Sequence, residues 1–138
     1  MANRQLPRID TPDSGTTCRI AVVDDDAGVR KALFQLLDHA PYTVETFGSA
    51  REFIDALSRL APACALIDLQ MPEMTGLELQ RYIAGAGLEI PTIIITAHDE
   101  PGGREQCIAA GASAYLLKPL RRAVLMTAIN AAIECRSD

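Results

Sequence analysis

The chain has 138 residues, 49% of them hydrophobic and 22% charged, with a formal net charge of −5 at pH 7. That length suits one domain, which buries roughly two-thirds of the surface its unfolded chain exposes, and no apolar run reaches the about 18 residues that cross a bilayer. The acidic balance, with no basic cluster beyond Arg121-Arg122, argues against a nucleic-acid-binding surface.

Residues 1–17 are polar and rich in Pro, Asp, Ser and Thr, without the apolar segment of a secretory signal, and are predicted to form a flexible tail ahead of a domain over residues 18–138. Strands are predicted over residues 19–24, 42–47, 64–68, 91–96 and 113–118, with helical segments between them. This alternation implies an α/β fold with a parallel sheet. The first strand carries the apolar run Ile20 to Val23 and the fourth Ile93 to Ile95, as expected where helices cover both faces. Only residues 42–47 alternate, which marks an edge strand. Asp26 is expected to cap the first helix. Ser49-Ala50-Arg51-Glu52 and Thr75-Gly76-Leu77-Glu78 have the spacing of capping boxes at the second and third helices. Pro101-Gly102-Gly103 predicts a fourth helix that begins late and is mobile. In the last helix Val124, Leu125, Ala128, Ile129, Ala132 and Ile133 form a stripe expected to pack on the sheet. Cys18, Cys64, Cys107 and Cys135 lack metal-binding spacing and are expected as reduced, buried thiols in a cytoplasmic protein.

In an open α/β sheet the functional site lies beyond the carboxyl ends of the strands. Here those ends carry Asp24-Asp25-Asp26, Asp68, Thr96 and Lys118. Singly, each has an ordinary explanation: a solvated turn, a turn Asp, a strand Thr, an exposed Lys before Pro. Together they require one. Carboxylates gathered at one sheet edge repel unless a cation compensates them. Lys118 supplies one such charge, and Mg²⁺, a hard ion that prefers oxygen ligands and keeps some water, suits the rest.

The runs VVDDD (from Val22), LIDLQMPEMTG (from Leu66), IIITAH (from Ile93) and AGASAYLLKP (from Ala110) resemble two-component response-regulator receivers, over about residues 19–136. The resemblance implies a flavodoxin-like, doubly wound five-stranded parallel sheet in the order 2-1-3-4-5, with five helices. It implies that Asp68 accepts a phosphoryl group, that Asp25 and Asp68 bind Mg²⁺ directly, that Asp24 does so through water, and that Gln70 offers its backbone carbonyl. Thr96 and Lys118 are then expected to hold phosphoryl oxygens, Thr96 and Tyr115 to act as the switch, and the Lys118-Pro119 bond to be cis. The implied donor is a sensor histidine kinase or a histidine phosphotransfer protein. Catalysis would be confined to the chain's own phosphorylation and dephosphorylation.

The core is somewhat nearer to receivers of nitrogen-fixation-type transcription regulators than to chemotaxis receivers, so an output domain outside this chain and a homodimer through the fourth helix, fifth strand and fifth helix are expected partners. Gln70 and His98 stand at positions that vary among receivers; His98, in a loop, reads as an ordinary polar residue rather than a base. Three alternatives differ in class. A haloacid-dehalogenase-type phosphatase needs a second Asp two residues after its nucleophile, where this chain has Gln70. A flavin-binding module needs a Gly/Ser/Thr-rich loop after the first strand, which is absent. A phosphate-independent interaction module would not need the full set of site residues that this chain carries.

Overall fold

The structure is a computed structural model that describes residues 18–39 and 41–137; the predicted tail lies outside the described residues. Five strands, β1 (Cys18–Val23), β2 (Tyr42–Phe47), β3 (Cys64–Asp68), β4 (Thr92–Thr96) and β5 (Ala114–Leu117), alternate with α1 (Ala27–Leu37), α2 (Ala50–Ala56), α3 (Gly76–Gly85), α4 (Gly103–Ala109) and α5 (Arg122–Ser137). All pair in parallel in the order β2-β1-β3-β4-β5, the doubly wound arrangement expected. The half-buried, alternating β2 is one edge and β5 the other. Strand ends differ from expectation by about a residue: β4 starts at Thr92 because Pro91 has no N–H for the ladder, although its carbonyl still accepts from Ala65.

Successive strand residues face opposite sides, which creates two cores. Val23, Phe53, Ile67, Leu79, Ile94 and Tyr115 belong to one, on the side of α2, α3 and α4. Ile20, Leu33, Leu66, Ile95, Leu125 and Ile129 belong to the other, on the side of α1 and α5. In the α5 stripe Leu125, Ile129 and Ala132 are buried, but Val124 in the first turn is 50% exposed. Cys64 and Cys107 are buried and Cys18 partly so, all as free thiols, and burial pushes the Cys64 thiol up to about 12. The side chain of Cys135 lies outside the described residues.

Local chemistry sets the helix starts. Asp26 caps α1, its Oδ1 accepting from the Gly28 and Val29 amides. At α3 the box is complete: Thr75 Oγ1 accepts from Glu78 N–H, and Glu78 Oε1 from Thr75 N–H. At α2 it is half-formed. Ser49 caps Glu52, but the Glu52 carboxylate takes the Gly48 N–H instead, one residue further back. As the glycines imply, α4 begins only at Gly103, after Gly102 at φ 82, and has no side-chain cap. Far from the carboxyl ends, buried Gln80 of α3 accepts the Thr92 hydroxyl proton and donates to the Ala110 carbonyl at 3.2 Å.

Candidate phosphoacceptor site

β1 and β3 are neighbours, so Asp24, following β1, and Asp68, ending β3, arrive side by side, both buried. Asp25 is exposed beside them, and one oxygen from each of Asp24, Asp25 and Asp68 lies within 4.8 Å of the others. Lys118, after β5, reaches back across the sheet end and donates to Asp24 Oδ2 at 3.0 Å and to Asp68 Oδ1 at 3.4 Å. The Lys118 N–H donates to Thr96 O at 2.8 Å, which holds its backbone at the end of β4, and the Lys118-Pro119 bond is cis as expected. Asp24 is held from three directions: its Oδ1 accepts the Asp26 N–H, its Oδ2 the Lys118 ammonium, and its backbone carbonyl the Arg30 guanidinium at 2.7 Å.

The charges do not balance. Burial, and next the Asp24 carboxylate, push the Asp68 carboxyl up to about 6, against the opposing pull of Lys118. Burial acts to lower Lys118, but the Asp24 and Asp68 carboxylates outweigh it and the ammonium is held above its ordinary range. Three carboxylates facing one ammonium leave an excess of negative charge at a site rich in oxygen donors. Such a donor set fits a hard divalent cation that retains water.

Asp68 is fixed from its backbone side. Leu69 N–H donates to Ile95 O, Gly76 N–H donates to Leu69 O, and a Cβ on Gly76 would stand 2.4 Å from the Asp68 carbonyl oxygen. Only a glycine lets α3 start this close. Among the described residues no hydrogen-bond donor reaches Asp68 Oδ2, so the carboxylate keeps one oxygen that Lys118 does not hold.

Thr96 ends β4 fully buried. Its hydroxyl accepts from His98 N–H at 3.0 Å and has Gln70 Oε1 at 2.8 Å and the His98 carbonyl at 2.9 Å as acceptors. His98 itself is exposed and takes part through its backbone. Tyr115 is turned into the core, its hydroxyl donating to Asp99 Oδ1 at 3.1 Å, and burial, with Asp99 next, pushes its phenol up to about 12. Asp24, Asp25, Asp68 and Lys118, singled out in the sequence, are thus gathered at one point, with Thr96 ending the neighbouring strand. Gly76, Arg30 and Asp99 escaped sequence reading. A glycine directly after a helix cap was the visible signal for the first; the other two carried none.

The family model of the response regulator receiver domain matches residues 20–130. The chain belongs to this family. Receivers of this kind are parts of two-component response regulators, not classical enzymes, and typically bind Mg²⁺ at an acidic pocket. The transcriptional regulatory protein TdiR of Thauera aromatica is 35% identical over 120 residues, covering 87% of this chain and 53% of that protein. The response regulator protein TodT of Pseudomonas putida is 38% identical over 115 residues, covering 83% and 51%. The chain thus spans about half the length of the curated relatives it matches. Among solved structures, FixJ-N is similar at 32% identity with a TM-score of 0.78, covering 85% of this chain and 94% of that one. The receiver is therefore related to those of transcription regulators, as its core implied.

Proposed function

We propose that this receiver takes a phosphoryl group onto Asp68 and passes that event to the surface formed by α4, β5 and α5. The observation that carries the reading is the half-held Asp68 carboxylate at a strand end, with Lys118 on one oxygen and two further carboxylates beside it. The free oxygen of Asp68 attacks the phosphorus of a phosphohistidine on a sensor kinase or phosphotransfer protein; the O–P bond forms as the P–N bond breaks, and the imidazole leaves with the electron pair. Lys118 faces the negative charge that spreads over the transferring oxygens, and Thr96 offers its hydroxyl to them. Asp25 and Asp68 would hold Mg²⁺ directly, with the Gln70 carbonyl, and Asp24 through water. When bound, this ion neutralises the carboxylates and the phosphoryl charge. Preorganised Asp68 and Lys118 supply positioning, and little further covalent chemistry falls to the protein.

The readout follows from competition for Thr96. Once its hydroxyl turns to the phosphoryl group, the space it leaves and the seat of Tyr115 change together, and the balance of two surfaces shifts. Exposed Ile108, Leu117 and Val124 on that surface suit a second copy of the chain, and an output domain that binds DNA is the reading favoured by relatives twice as long.

Intact mass after incubation with Mg²⁺ and acetyl phosphate tests the chemistry. The wild type should gain one phosphoryl group only with Mg²⁺, and Asp68→Asn none. No gain in the wild type would leave a phosphate-independent interaction module, and release of phosphate from many equivalents of a phosphomonoester would instead mark a phosphatase.

A further inference from the structure

Gln70 lies two residues after Asp68 on the loop into α3, and its side chain reaches across to the end of β4. The hydroxyl of Thr96 has one proton and two acceptors within reach, Gln70 Oε1 at 2.8 Å and His98 O at 2.9 Å. The other end of the amide resolves the competition: Gln70 Nε2 approaches the His98 carbonyl at 3.5 Å and offers it a different proton. His98 N–H closes the circuit on Thr96 Oγ1 at 3.0 Å. With the Thr96 proton on Gln70, the Gln70 amide facing His98 O and the His98 N–H on Thr96, every donor in the ring has its own acceptor; His98 O at 2.9 Å is the one other place for the Thr96 proton. This ring joins the loop that follows Asp68 to the loop that carries Asp99. Asp99 in turn takes the Tyr115 hydroxyl proton, and that hydroxyl sits 3.0 Å from where a Cβ on Gly103 would stand, at the first residue of α4.

We infer that the Gln70 side chain is a positioning residue, a clamp that holds the Thr96 hydroxyl in the resting arrangement and sets how readily the switch turns. The inference rests on the proposed phosphorylation of Asp68 and deepens it. One hydroxyl proton cannot serve Gln70 and a phosphoryl oxygen at once, so turning Thr96 toward Asp68 costs the ring its first bond. A side chain that makes this bond favours the resting state by the worth of a net hydrogen bond, roughly a factor of five in the balance. The role belongs to an amide of this length, since it needs an acceptor for Thr96 and a donor for His98 on the same group.

Gln70→Met keeps the length and the backbone carbonyl and removes both polar atoms; Gln70 is exposed, so the variant folds. In the unphosphorylated protein, exchange of the His98 amide, followed by NMR, should become about fivefold faster than in the wild type, with exchange of buried β3 amides unchanged. With Mg²⁺ present, the beryllofluoride concentration that half-saturates the protein should fall by about the same factor. An unchanged His98 exchange rate overturns the clamp, and so does faster exchange with unchanged half-saturation. If beryllofluoride binds neither protein, the Asp68 reading fails, and the exchange rate alone still decides the clamp.

Discussion

α3 and α4 both begin at the carboxyl edge of the sheet, yet their starts are built in opposite ways. α3 has a complete capping box, and Gly76 lets its first turn press against the Asp68 backbone. α4 has a glycine cap at φ 82, no side-chain cap and only seven residues. The helix beside Asp68 is anchored by its own cap; the helix beside Tyr115 starts without one and is tied to β5 by Arg104, which donates to the Tyr115 carbonyl at 3.3 Å. The proposed chemistry at Asp68 needs fixed distances and would sit at the first, and the proposed response, which needs two arrangements, at the second.

The largest expected effect lies on the anchored side. A Cβ at Gly76 meets backbone at 2.4 and 2.9 Å, which no side-chain rotation relieves, so Gly76→Ala should cost about 3 kcal/mol in urea denaturation. A cost as large for Gly103→Ala would erase the contrast between the two helices. A smaller effect comes from Asp68 itself. Its carboxyl is raised to about 6 by burial and the Asp24 charge, so the folded protein binds that proton more tightly than the unfolded chain does. The stabilisation is complete below the unfolded value of about 4 and is lost as pH rises through 6. Asp68→Asn, which carries no charge, should therefore gain stability over the wild type as pH rises from about 4 to about 8 in Mg²⁺-free buffer. An equal difference at both ends would show that Lys118 fully offsets burial and the Asp24 charge. The smallest change in stability, within about 0.5 kcal/mol, is expected for Gly103→Ala, where the obstacle is the movable end of Tyr115. Its mark should be spectroscopic: the phenol pushed up to about 12 in the wild type should titrate lower once displaced toward solvent, as followed by ultraviolet absorbance.

Much of this was legible in the residues. Strand ends in a doubly wound sheet converge, so the sequence alone groups Asp24, Asp25, Asp68 and Lys118, and Asp26 and Thr75 announce their helices by local spacing. The misses share a physical origin. Glu52 had the right spacing to bond Ser49 but found the Gly48 amide, Val124 had the right period but stands half exposed, and the side-chain amide of Gln70, which bridges two loops, gave no local signal. Periodicity and caps report on contacts within about one helical turn. Bonds between loops are set only when the sheet has brought them together.

One tie far from Asp68 holds the closing turn of α4. Gln80, wedged between α3 and β4, grips the carbonyl of Ala110, the residue that closes α4. Seven residues rise about 10 Å, so α4 is a short beam tied to α3 at its distal end and, at the end nearest Asp68, to β5, where Arg104 Nη1 donates to the Tyr115 carbonyl at 3.3 Å. The two ends of this beam therefore rest on different neighbours, Ala110 on α3 and the first turn on β5.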